Sequence, residues 1–73
     1  MISIFEVEKF KFNTYDIRDL SWNTKVNSMY SKLSTKINEE YSSDKIINVI
    51  PSIQQDSGNP FLYYVGATIV MNK

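Results

Sequence analysis

Along residues 22 to 41, apolar side chains fall at Trp22, Val26, Met29, Tyr30, Leu33, Ile37 and Tyr41. Steps of three and four place them on one stripe of a helix. Asn23, Lys25, Asn27, Ser31, Lys32, Ser34, Lys36 and Asn38 take the other side, which belongs in water. Ser21 is placed to cap the helix, because its hydroxyl can accept a hydrogen bond from an orphan amide of the first turn. No Glu follows at the third helical position, so the capping box is incomplete. Ser42-Ser43-Asp44 ends the helix without a Gly.

The flanking segments alternate instead. Residues 2 to 12, ISIFEVEKFKF, predict a strand in which Phe5 and Val7 share a face while Phe10 and Phe12 fall on the opposite one. A bulge near Glu8-Lys9 restores a single apolar face; otherwise the strand ends there. Residues 13 to 20 have no clean period and read as a loop with an inward anchor at Tyr15, Ile17 or Leu20. Residues 45 to 54, KIINVIPSIQ, predict a second strand. Ile47, Val49, Pro51 and Ile53 lie on one face, and Ile46, Asn48, Ile50, Ser52 and Gln54 on the other. Pro51 cannot donate to a ladder, which makes this an edge strand or breaks it. QQDSGNP, residues 54 to 60, supplies turn residues capable of positive and of fixed φ. Residues 61 to 71, FLYYVGATIVM, predict the longest strand. Phe61, Tyr63, Val65, Ala67, Ile69 and Met71 line one face, and Leu62, Tyr64, Gly66, Thr68 and Val70 the other.

The order predicts a single domain over residues 1–73 of the α+β class. It is a two-layer β-α-β-β arrangement, one amphipathic helix packed on a small antiparallel or mixed three-stranded sheet. The first strand is expected beside the third, with the Pro51 strand at an edge. One helix covers one side of such a sheet. The other side is left with Leu62, Tyr64 and Val70, joined by Ile46 and Ile50, which are the interface candidates. Either the N-terminal strand or loop folds over this patch, or these are scattered surface apolar residues, or the patch is an oligomer or partner site, which is the preferred reading. A homo-oligomer built on the outer face or the edge of strand 61 to 71 is the expectation, since a domain this small has little core to stabilise it. Tyr64 is the best single contact, offering large area and a polar tip. Trp22, Tyr30, Tyr41 and Tyr63 read as core.

Composition narrows the chemistry. Eight Lys and Arg balance eight Asp and Glu, which argues against a basic groove for long nucleic acid. With no Cys and no His, there is no disulfide framework, no thiolate and no imidazole base or ligand. Glu6 and Glu8 on one strand face read as a solvated edge rather than a catalytic pair. Asp16, Asp19 and Asp44 lack calcium-loop spacing. Asp56 belongs to a turn, and Gly58 and Gly66 form no phosphate loop. Lys9 and Lys11, with Lys25, Lys32 and Lys36, read as solvated faces or as anion contacts across an oligomer seam. No cofactor or metal is expected. Nor is a transmembrane helix or a signal peptide, because Glu and Lys interrupt the N-terminal apolar residues.

From Lys36 to Met71 the pattern resembles that of very short sporulation-associated and phage proteins of low-GC bacteria. In those, a helix ending in an "IN-x-x" turn leads to a strand reading "KIIDIKxS" and a last strand reading "YSALIIY". The matching pieces here are Ile37-Asn38, Lys45-Ile46-Ile47-Asn48-Val49, Ser52 and Tyr64-Val65-Gly66-Ala67-Thr68-Ile69-Val70. The segment with Trp22 and the 13 to 20 loop departs from the pattern. The resemblance implies the β-α-β-β layout and carries over no catalytic residue. The expected function is therefore a small non-enzymatic binding protein of the bacterial cytoplasm. It is read as a phage-encoded accessory protein that inhibits a host defence protein or sequesters a small, nucleotide-like ligand as an oligomer. The alternative is a structural or regulatory accessory protein of sporulation.

Overall fold

The computed structural model describes residues 1–72. Its elements are β1 (Ile2–Asn13), α1 (Trp22–Glu40), β2 (Ile46–Gln55) and β3 (Leu62–Asn72), with short 3-10 turns at Tyr15–Ile17 and Ser43–Lys45. The sheet order is β1-β3-β2, and both pairings are antiparallel. β1 and β2 thus run parallel with β3 between them, a split β-α-β unit to which α1 is the crossover. β2 is hydrogen-bonded on one side only, which is where Pro51 fits. β3 is paired on both sides, so it has no free edge. Self-association through an edge of residues 61 to 71 is thereby corrected.

Two bulges set which side chains meet α1. In β1, Val7 stands opposite Ala67 and Phe10 opposite Val65, so Glu8 and Lys9 share the single partner Gly66. The extra residue brings Phe5, Val7, Phe10 and Phe12 onto one face, as their pattern requires. In β2, Ile46 stands opposite Met71 and Asn48 opposite Val70, leaving Ile47 as the extra residue. This bulge corrects two assignments. Ile46 turns to the helix side and packs on the core. Ile47 leaves the face of Val49 and Ile53 and stands 56% exposed.

The core is Val7, Met29, Leu33, Ile37, Val65, Ala67, Ile69 and Met71, with α1 lying over β3. Each large member contributes about 1.5–3 kcal/mol by leaving water. Met29, Leu33 and Ile37 recur every fourth residue, the single row that a straight helix presents to one strand beneath it. The outer positions of the stripe are therefore less buried than their pattern suggests. Trp22 is 51% exposed and packs its ring on Tyr63 at 5.5 Å. Tyr30 is also exposed, and half-buried Tyr41 meets Phe5 at 6.1 Å. On the β1 flank, the ammonium groups of Lys32 and Lys36 sit 5.2 and 5.7 Å from the centre of the Phe10 ring, and their stems shield it.

The helix starts where Ser21 accepts a hydrogen bond from the Thr24 amide at 3.2 Å. Thr24 occupies the position a capping box gives to Glu, and its hydroxyl joins that of Ser21 at 2.9 Å. The chain leaves the helix at Tyr41, whose extended backbone ends it and whose amide donates to the Ile37 carbonyl.

The anchor of the 13 to 20 loop is none of the three expected residues. Ile17 is half-buried, and Tyr15 and Leu20 are exposed. The buried residue is Thr14, whose amide and hydroxyl both donate to the Phe61 carbonyl, at 2.7 and 2.9 Å. Tyr15 packs edge-on against the Phe61 ring at 5.1 Å and carries the Arg18 guanidinium over its face. The β2–β3 turn also differs from expectation, since no glycine among the described residues has positive φ. Side-chain acceptors hold it instead. Asp56 receives the Gly58 amide at 2.9 Å, and Asn59 receives the Phe61 amide at 3.0 Å.

Candidate interaction surface

Among the described residues, no element covers the helix-free side of the sheet. β1 lies within the sheet, so it does not fold over this face as one sequence expectation allowed. Four rows cross the face from β1 through β3 to β2. They are Ile4–Val70–Asn48, Glu6–Thr68–Ile50, Lys9–Gly66–Ser52 and Lys11–Tyr64–Gln54. Ile2 and Asn72 continue it at one end, Asn13 and Leu62 at the other.

Of the sequence candidates, Leu62, Tyr64, Val70 and Ile50 share this face, and Ile46 does not. Ile50 is 53% exposed, while the three β3 residues are half-buried between their neighbours. Sequence reasoning missed Ile2 and Ile4, which are 57% and 67% exposed. Their signal was present: they alternate with Phe5 and Val7 on the opposite side of the same strand. The apolar surface is therefore displaced toward the β1 start and the β3 end.

Toward the other end, Tyr64 is engaged within its own chain. Its hydroxyl donates to Asp56 Oδ1 at 2.8 Å. That bond, helped by the Gly58 amide, holds the Asp56 carboxyl below its usual range and pushes the Tyr64 phenol above its own. The tyrosine ring is thus held in place along the face. Between the two ends lies a shallow depression of about 530 Å³ lined by Glu6, Glu8, Lys9, Ser52 and Thr68.

The charges are ordered along β1. Glu6 precedes the bulge, Lys9 lies within it beside Glu8, and Lys11 follows it. The remaining lysines of interest lie elsewhere. Lys25 donates to the Arg18 carbonyl at 3.0 Å, and Lys32 and Lys36 cover Phe10. On the helix side, a second concavity of about 370 Å³ runs between α1 and β2, lined by Tyr30, Leu33, Ile37, Ile46, Val49 and Pro51.

Among the described residues no group of three or more acidic, His or Cys side chains could hold a metal ion. Both Asp56 oxygens are occupied by turn contacts. Among the described residues no helix is long and apolar enough to cross a membrane. No protein-family model, curated protein or solved structure matches the chain.

Proposed function

We propose that this chain is a non-enzymatic interaction protein whose working surface is the open face of its sheet. The observation that carries the reading is the set of exposed apolar side chains Ile2, Ile4 and Ile50 around Val70, on a face that no element among the described residues covers. A surface of that kind, bordered by Glu6, Lys9 and Lys11, has the make-up of a binding site. The resemblance to short sporulation-associated and phage proteins supports an accessory role of this kind in a bacterial cell. Inhibition of a host protein and a structural part in sporulation are its two biological settings, and genomic neighbourhood separates them.

The test is native mass spectrometry and affinity capture with the wild type and Val70→Glu. The wild type is expected to carry a partner, its own copy or another protein, and the variant to lose it. A wild type that stays a bare monomer and captures nothing overturns the reading.

A further inference from the structure

We infer that the occupant of the open face is a second copy of this chain, packed face to face about a two-fold axis lying across the strands. The inference rests on the reading of that face as the working surface. Four observations lead to it.

The first is area. The eleven residues of β3 at about 3.4 Å each, across three strands about 4.8 Å apart, give a flat projection of about 500 Å² per copy. Two copies bury about 1,000 Å² before side-chain relief is counted, which meets the minimum of about 1,000 Å² for a biological interface and falls at the small end of the scale.

The second is excess surface. The chain exposes 5054 Å², against about 4,700 Å² for a compact monomer of its mass. Its radius of gyration is 13.5 Å, against about 11 Å for a compact chain of this length. Extents of 43 × 21 × 17 Å show that the molecule is elongated along its long strands, and the open sheet face runs along that length.

The third is charge order. An axis between the Thr68 and Gly66 rows sets each row against the one equally far on the other side. Glu6 then lies opposite the second copy's Lys9, and Lys9 opposite the second copy's Glu6. Val70 meets the second copy's Tyr64, and Ile4 meets the stem of its Lys11. Thr68 meets Gly66, over which the Lys9 stem lies, so the centre holds small groups and methylenes between sheets about 10 Å apart. An axis running along the strands instead sets Glu6 on Ile50, burying a carboxylate against an apolar side chain.

The fourth is that the edges resist pairing. Pro51 interrupts the donor row of β2. The Glu8-Lys9 bulge twists and charges β1. With β3 internal and both edges disfavoured, association through the sheet falls to its open face.

The test is a charge exchange followed by light scattering and analytical ultracentrifugation. The wild type is expected to be a dimer. Glu6→Lys and Lys9→Glu each place like charges across the seam and raise the dimer dissociation constant about 100-fold or more. Both positions are exposed, so circular dichroism should show the native fold in each variant. Mixing the two variants restores opposite charges at both contacts, and a mixed dimer near wild-type strength is the expected result. A wild type that is monomeric at high micromolar concentration overturns the inference. So does a mixture no tighter than either variant alone. If the wild type is monomeric yet a foreign partner is lost on Val70→Glu, self-pairing fails and the binding face stands. A monomer without any partner removes both.

Discussion

Lys9 lies across Gly66. A Cβ built on Gly66 would come within 2.8 Å of Lys9 Cγ and 3.5 Å of the Val7 carbonyl oxygen. The bulge of β1 produces this closeness, because two residues face one and the second is folded over its partner. Gly66 is thus required by a neighbour's stem and not by a turn. The expected outcome for Gly66→Ala is a loss of about 1–3 kcal/mol, the range for forcing atoms into a filled site. In a Lys9→Ala background the obstructing Cγ is gone, and the same substitution should cost almost nothing. Urea unfolding of all four proteins at equal concentration gives the coupling directly. An equal cost in both backgrounds would refute the contact.

Leu33 is 3% exposed at the middle of the helix row. Leu33→Ala should cost about 2–5 kcal/mol, enough to unfold much of a domain this small at room temperature. Trp22→Ala should cost less despite its larger side chain, because half of that side chain is already in water. Chemical denaturation ranks the two. A greater loss at Trp22 would mean that the helix is centred elsewhere on the sheet.

Thr14 joins the end of β1 to the start of β3 through the Phe61 carbonyl. Thr14→Val keeps the shape and the backbone bond but removes the hydroxyl donor. A loss of about 0.5–1.5 kcal/mol is expected. Hydrogen exchange should locate it, with protection of the Thr14 and Leu62 amides falling before that of the helix.

The Tyr64–Asp56 bond gives the β2–β3 turn a response at both ends of the pH scale. The folded state holds Asp56 below its usual range, so its contribution is present at neutral pH and disappears as pH falls through that lowered value. The folded state raises the Tyr64 phenol, so its contribution is present below the usual tyrosine range and disappears as pH rises through the raised value. The amide shift of Gly58, which donates to the same carboxylate, should move in both limits. Tyr64→Phe should abolish the alkaline step and move the acid step upward. A Gly58 amide that ignores pH in the acid limit would contradict the bond.

How much of this could be read along the chain depended on contrast between neighbouring residues. The β1 bulge was legible because Phe10 and Phe12 break phase with Phe5 and Val7, and the charged pair Glu8-Lys9 marks where. The β2 bulge was not, since Ile46 and Ile47 are equally apolar and either can face inward. Ser21 announced its cap because the acceptor and donor are three positions apart. Thr14 did not announce its anchor, because the carbonyl it needs lies 47 positions away and becomes near only through sheet pairing. The helix stripe was visible as a period, but not its narrowing to Met29, Leu33 and Ile37, which depends on what lies underneath. On the candidate surface, β3 alternation placed Leu62, Tyr64 and Val70 correctly. The tie from Tyr64 to Asp56 needed the turn geometry.

The central place of β3 has a consequence for how the chain is born. During synthesis β1, α1 and β2 are all translated before residues 62–72. Until those residues appear, neither flanking strand has a partner, and the apolar row of the helix has no floor to rest on. The pairing that closes the sheet joins Ile2 to Asn72, among the longest loops the chain can close and the kind that slows folding. The nascent protein therefore holds two unsatisfied strands and a sticky helix while translation proceeds. A ribosome that stalls within β3 would leave a product with no partial fold to fall back on, a natural substrate for chaperones and proteases.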